Sequence, residues 1–153
     1  MDSLANRFIQ RFDSFSRAFL RLEELVLMIT GRDNYSLFTD ETISIEEEIV
    51  REALIKRFEF TQELSWNLLK DYMAYQGEVG LAGSRDVYRR ALQNGLINDS
   101  IWMNMILDRN LSAHDYNDMK SKEIAHRIVN IYYPLLCELR KRFASIKEKI
   151  ERE

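Results

Sequence analysis

The stretch LANRFIQRFDSFSRAFLRLEELVLMI, Leu4 to Ile29, decides the fold. Its apolar residues Leu4, Phe8, Phe12, Phe15, Phe19, Leu22, Val26 and Ile29 are spaced 4, 4, 3, 4, 3, 4 and 3 residues apart. That spacing follows the turn of an α-helix and draws one apolar stripe. Arg7, Arg11, Arg17, Arg21, Glu23 and Glu24 fall on the other faces. The segment is read as a long amphipathic helix, with Gly31 as its C-terminal stop.

Outward from this helix the same period recurs. Gly31 to Ser44 reads as a loop, with turn formers at Arg32-Asp33-Asn34 and no sustained period. Ser44, followed by Glu46 to Glu48, has the cap and first-turn acids of a second helix. It should run to about Tyr75, stop at Gly77 and span roughly 45–50 Å. Ile49, Ala53, Phe60 and Leu64 lie on one side, and Phe58, Trp66, Leu69 and Met73 on others. An apolar arc that wide predicts a central helix touched by several neighbours. Ser84 is the expected cap of a short third helix, Arg85 to Gln93, closed by Asn94-Gly95. Asn98 or Asp99 caps a fourth through Ile101, Trp102, Met105 and Ile106. After a break near 113–117 a fifth long helix carries Ile124, Ile128, Ile131, Leu135, Leu139, Ile146 and Ile150. Pro134 inside it should kink it or free a carbonyl. The expectation is an all-α fold of about five helices in an up-down bundle, one domain over 1–153. A bundle of this size rarely hides every apolar face, so self-association is also expected.

Composition sets the outer limits. The 153 residues carry 22 Lys+Arg against 25 Asp+Glu, a formal charge of −3. A globally basic nucleic-acid coat is thereby excluded, and any RNA contact must come from a local patch. Five Gly and one Pro leave too few breakers for a many-stranded β fold. The single Cys137 argues against an internal disulfide and any Cys-based zinc site. Leu25 to Ile29 is far short of the ~20 apolar residues of a membrane span. The start lacks the basic region and cleavage site of a signal peptide, so a cytoplasmic protein with no membrane contact is expected.

Reactive groups concentrate in one place, Asp108-Arg109-Asn110-Leu111-Ser112-Ala113-His114-Asp115-Tyr116. On one helix Asn110 and His114 share a face at i, i+4, with Arg109 alongside. The residues by themselves leave two readings open. Arg109 pairs with a carboxylate and His114 caps a helix C-terminus, or the two form a site for an anion. Asp108, Asp115 and Asp118 with His114 follow no recognisable metal-ligand spacing, and neither metal nor cofactor is expected. Gly77 to Gly83 lacks the strand, helix and Lys-Ser/Thr ending of a phosphate loop. Arg85, Arg89 and Arg90 form a small basic cluster, either a solvated face or a hold on RNA backbone. His126 is expected on a solvated face, and Trp66 and Trp102 in the core.

Arg109, four residues, His114, Asp115 and Tyr116 read R-x4-H-x-Y, which resembles the signature of the HEPN family of small helical proteins. The flanks are similar to its branch known as nucleotidyltransferase substrate-binding proteins. They are Phe58 to Tyr72, Ser84-Arg85-Asp86-Val87, Ala91 to Ile97 and Tyr132-Tyr133-Pro134-Leu135-Leu136. The likeness runs from Leu4 to about Phe143, while the 31–44 loop matches nothing recognised. The resemblance implies a homodimer whose two motifs face one cleft. It also implies a separate minimal nucleotidyltransferase as cognate partner and metal-independent cleavage of RNA by a toxin that this partner silences. Arg109, Asn110 and His114 are the implied catalytic residues, and Tyr116 the implied acceptor of AMP from the partner.

That motif suits RNA chemistry. Imidazole, with an unperturbed pKa of about 6.5, moves protons at neutral pH. Guanidinium is a fixed cation with a donor fork shaped for phosphate, and an amide orients a neighbour or donates to a phosphoryl oxygen. DNA, lacking the 2′-OH, should be inert. The alternative reading is a non-catalytic nucleotide- or substrate-binding subunit of a two-component nucleotidyltransferase. The chain lacks the Gly-Ser and paired Asp of the transferase itself.

Overall fold

The first helix, α1, forms over Ser3–Thr30 and buries Phe8, Phe12, Phe15, Phe19, Leu22, Val26 and Ile29 as its spacing predicts, but the first residue of the expected stripe, Leu4, is exposed in the opening turn and Ala5 is buried there instead. Asp2 caps it, its carboxylate accepting from the Ala5 N–H at 2.8 Å. Gly31 follows the last turn with φ −83°, so this stop does not use glycine's left-handed freedom. The computed structural model describes residues 2–32, 38, 44–114 and 118–153, with the backbone alone at 113, 114, 118 and 119. Most of the loop expected over 31–44, and residues 115–117 of the expected break, lie outside the described residues.

Helix α2 spans Ile45–Tyr75 and begins at a capping box. The Glu47 N–H donates to Ser44 Oγ at 3.1 Å, and the Ser44 N–H donates to the Glu47 carboxylate at 3.2 Å. Gly77, at φ +97°, turns the chain away where most side chains would be strained. Helix α2 is central, packed lengthwise on α1 and touched by later helices. Leu54, Phe58, Leu68, Leu69 and Met73 form its buried side. The stripe expected to meet a neighbour is turned outward instead: Ile49 is 59% and Phe60 62% exposed. Its opposite face packs on α1 and on the C-terminal helix, and among the described residues nothing covers Ile49 and Phe60.

Helix α3, Gly83–Gln93, starts two residues earlier than expected, with Ala82 as its N-cap residue. Ser84 is not its cap; the Asp86 carboxylate reaches back to accept from the Ala82 N–H at 3.0 Å. Helix α3 is pinned to α2 by a buried polar knot. Tyr88 Oη lies 2.6 Å from Ser65 Oγ and accepts from Gln62 Nε2 at 3.1 Å. Burial pushes the Tyr88 hydroxyl well above its usual pKa, so it stays protonated. Helix α4, Trp102–His114, is preceded by Asp99, which accepts from the Ile101 N–H at 2.9 Å. Asp99, not Asn98, makes that bond. Trp102 is buried edge-on to Tyr88, whereas Trp66 is only half-buried at the core margin.

The last helix is continuous but changes register. Helix α5, Asp118–Arg127, passes through a π turn, Ile128–Tyr132, into α6, Tyr133–Arg152. Pro134 sits in the first turn of α6 and has no N–H to give to the previous turn. The Tyr133 N–H instead reaches back five residues to the Ile128 carbonyl. Such a turn holds one residue more than an α turn and rotates the following face. Tyr132 therefore enters the core at 1% exposure and Ile131 is left 37% exposed. This corrects the stripe expected through Ile131 and Leu135: beyond the π turn the buried side is Tyr132, Leu136, Leu139 and Phe143. Phe58 stacks on Tyr132 with centroids 5.3 Å apart, joining α2 to the turn. The fold is thus all-α, and the described residues form a bundle of five helices with the fifth interrupted by a π turn. Among the described residues no helix is long and apolar enough to cross a membrane.

Candidate functional site

Helix α4 carries the reactive segment, and two neighbours fix it. On one side Asp108 is buried, 5% exposed, and accepts from Arg127 twice, at 2.6 Å from Nε and 2.9 Å from Nη2. The Tyr132 hydroxyl donates to the same carboxylate. These bonds tie α4 to the end of α5 and to the π turn. The Asp108 hydrogen bonds raise the pKa of the Arg127 guanidinium. Burial first, and Asp108 second, push the Tyr132 hydroxyl up, so it remains a donor. On the other side Ser112 Oγ donates to Glu59 of α2 at 2.6 Å, and Glu63, one turn on, faces Arg109 at 3.9 Å.

Arg109 is half-exposed, and that long ion pair is loose by the standard of Asp108 and Arg127. Its Nε–H is shielded from solvent and meets no acceptor, the one such side-chain atom among the described residues. A shielded, unpaired guanidinium donor calls for an explanation, because nearly all such groups are satisfied. Asn110 is exposed on the adjoining face. His114 is the last residue of α4, one turn beyond Asn110; its side chain, like all of Tyr116, lies outside the described residues.

Other candidates separate from this segment. Arg85, Arg89 and Arg90 are exposed on α3, and Arg90 pairs with Glu78 at 3.6 Å. His126 is exposed, with its ring edge-on to Phe38. Cys137 is half-buried against the core. Among the described residues no three His, Cys, Asp or Glu side chains gather as a metal site, and Asp108 is committed to Arg127 and Tyr132. Glu59, Glu63, Arg127 and Tyr132 were not apparent as site neighbours from sequence. They lie 19 to 74 residues from the side chains they meet, Phe58 included, and no local spacing reports such contacts.

Comparison with known proteins places the chain in context. A family model described as nucleotidyltransferase substrate binding protein like matches residues 10–145. A probable ribonuclease HepT from Haemophilus influenzae is 31% identical over 116 residues, covering 72% of this chain and 77% of that protein. A solved Haemophilus influenzae protein, described as revealing the fold of a substrate-binding domain of a nucleotidyltransferase, aligns with TM-score 0.72 and 26% identity. It covers 86% of this chain and 97% of its own. A Thermus thermophilus crystal structure aligns with TM-score 0.62 and 25% identity over 87% of this chain and 98% of its own.

Proposed function

The chain belongs to the nucleotidyltransferase substrate-binding-protein-like family, and on that premise we propose that it is a metal-independent endoribonuclease acting as the toxin of a two-gene toxin–antitoxin module. The observation that carries the reading is the unpaired Nε–H of Arg109, five residues before His114 on a helix otherwise fixed on both sides. A guanidinium with a free donor is suited to a phosphate, and the related probable ribonuclease supplies the substrate class.

In this reading the imidazole of His114 takes the proton of an RNA 2′-OH. The 2′-oxygen then bonds to the adjacent phosphorus as the bond from phosphorus to the 5′-oxygen breaks. The leaving oxygen takes a proton from the imidazolium of a second copy. Arg109 holds the phosphoryl oxygens as charge builds, and Asn110 orients the imidazole or the phosphate. A homodimer brings two copies of the motif to one cleft. Its support is the apolar surface left open beside the segment: Phe60 and Ile49 on α2, and Leu107 and Leu111 on α4, 53% and 38% exposed. Arg85, Arg89 and Arg90 are the candidate hold on RNA backbone outside the cleft. The cognate partner is a minimal nucleotidyltransferase that silences the nuclease by transferring AMP to Tyr116.

A second reading, a non-catalytic substrate-binding subunit, is favoured by the description of the Haemophilus structure. RNA cleavage by the purified chain in EDTA separates the two. His114→Ala and Arg109→Ala should each lose about 10²- to 10⁴-fold in rate with helicity unchanged. Full activity in His114→Ala, or cleavage that stops with EDTA, refutes the proposed chemistry.

A further inference from the structure

The trio Asp108, Arg127 and Tyr132 presents an unusual arrangement. Three hydrogen bonds hold its buried carboxylate, yet it adjoins Arg109, whose Nε–H has no partner among the described residues. Tyr132 reaches Asp108 only because the π turn at Ile128–Tyr132 rotates it inward. An uninterrupted α-helix, continuing the spacing of Ile124 and Ile128, would instead carry Ile131 and Leu135 to the core. A π turn is a costly irregularity that commonly marks a functional position. Here its product is a hydroxyl aimed at the residue before the candidate phosphate-binding arginine.

We propose that Asp108, Arg127 and Tyr132 form a positioning clamp that sets the rotation of α4 and so holds the Arg109 guanidinium toward the bound phosphate. The inference rests on the ribonuclease reading for its functional consequence, but its geometry stands on this chain alone. Asp108 and Arg109 are consecutive on α4, so they project about 100° apart around the helix. The carboxylate is fixed from three donors, two on one planar fork and one on a phenol, which resists both rotation and sliding of the helix. Glu59 braces the far side of the same turn through Ser112. Between these two anchors the Arg109 guanidinium meets, among the described residues, only the long contact to Glu63. Its partner set is left incomplete while its backbone is held, the condition for a preorganised ligand group.

None of the three residues is proposed to touch RNA, so the test must separate positioning from mere stability. Tyr132→Phe removes one hydroxyl and keeps the ring that stacks on Phe58. Should it fail to fold, Arg127→Lys keeps the charge and breaks the fork. Both are made in the full chain and studied below the melting transition followed by circular dichroism. The first readout is the ¹⁵N–¹H signal of the Arg109 Nε–H, assigned by its loss in Arg109→Lys. The second is kcat and KM on a fluorescein-labelled single-stranded RNA, with and without Arg109→Lys. The clamp predicts a shifted or broadened Arg109 signal and a kcat lower by about tenfold or more, in line with the rate lost to small misplacements of a binding group. On the Arg109→Lys background the same change should add less than about twofold, because its effect passes through Arg109. An unchanged Arg109 signal and kcat beside a lower melting temperature would overturn the clamp and leave only a structural ion pair. Absence of RNA cleavage by the unaltered chain would refute the ribonuclease reading instead, and the Arg109 signal would still decide the clamp.

Discussion

Glu63→Gln should make RNA bind more tightly, a direction opposite to that of most changes beside a site. The Glu63 carboxylate lies 3.9 Å from Arg109 Nη2 and is the side chain a phosphate must displace or tolerate. Two unit charges at that separation interact by about 1 kcal/mol in bulk water. Both side chains are more than a third exposed, at 36% and 44%. Screening and side-chain entropy therefore hold the realised value to about 0.2–1 kcal/mol, the range of exposed pairs. Removing the charge should lower the Kd for RNA by roughly 1.5- to 5-fold. Gln keeps the shape, so packing between α2 and α4 is preserved. The assay is fluorescence anisotropy of a labelled, non-cleavable 2′-O-methyl RNA at fixed ionic strength. Arg109→Ala serves as a control in which Glu63→Gln should no longer matter beyond the small gain from reduced net charge. Equal or weaker binding by Glu63→Gln in the Arg109 background would refute the idea that Arg109 is the phosphate ligand restrained by this acid.

Phe60→Asp should dissociate the proposed homodimer. Covering most of an exposed phenylalanine contributes about 1–2 kcal/mol per copy. The twofold doubles it, so the dimer Kd should rise roughly 30- to 1000-fold by light scattering across a concentration series; no change would place the interface elsewhere. Incubation with the cognate nucleotidyltransferase and ATP should add AMP to Tyr116, seen by mass spectrometry. Tyr116→Phe should remain unlabelled and escape silencing, whereas silencing that persists without an adduct would indicate neutralisation by binding alone.

The parts of the fold legible in the sequence are those set by neighbours in the chain. From Phe8 onward the 4-3-4-3-4-3 spacing of α1 gives its buried side directly, because each residue lies one turn from the next; Leu4, in the opening turn, is left exposed. Ser44 and Glu47 form a capping box across three residues, and the structure starts α2 there. Local reading fails where two demands compete. Ser84 has the chemistry of a cap, but Asp86 reaches the Ala82 N–H and the helix begins earlier. Ile49 and Phe60 read as core because apolarity reports a need for cover without saying whether the cover comes from the same chain.

The candidate site divides along the same line. Arg109, Asn110 and His114 occupy consecutive turns of one helix, so their grouping needs no tertiary information. What orients them does. In the sequence Asp108 is one acid of the reactive segment with no partner named for it, until Arg127 and Tyr132, 19 and 24 residues further on, are brought to it. The one local clue was Pro134. A proline there forces the preceding turn to abandon its α-helical bonding, and the accommodation found, a Tyr133 N–H reaching Ile128, carries Tyr132 from the flank to the interior. A residue without an N–H, more than 20 positions from Arg109 in sequence, thus takes part in deciding where that guanidinium stands. Its position in the sequence predicts a kink or a freed carbonyl; in the folded chain it changes which side chain can hold Asp108.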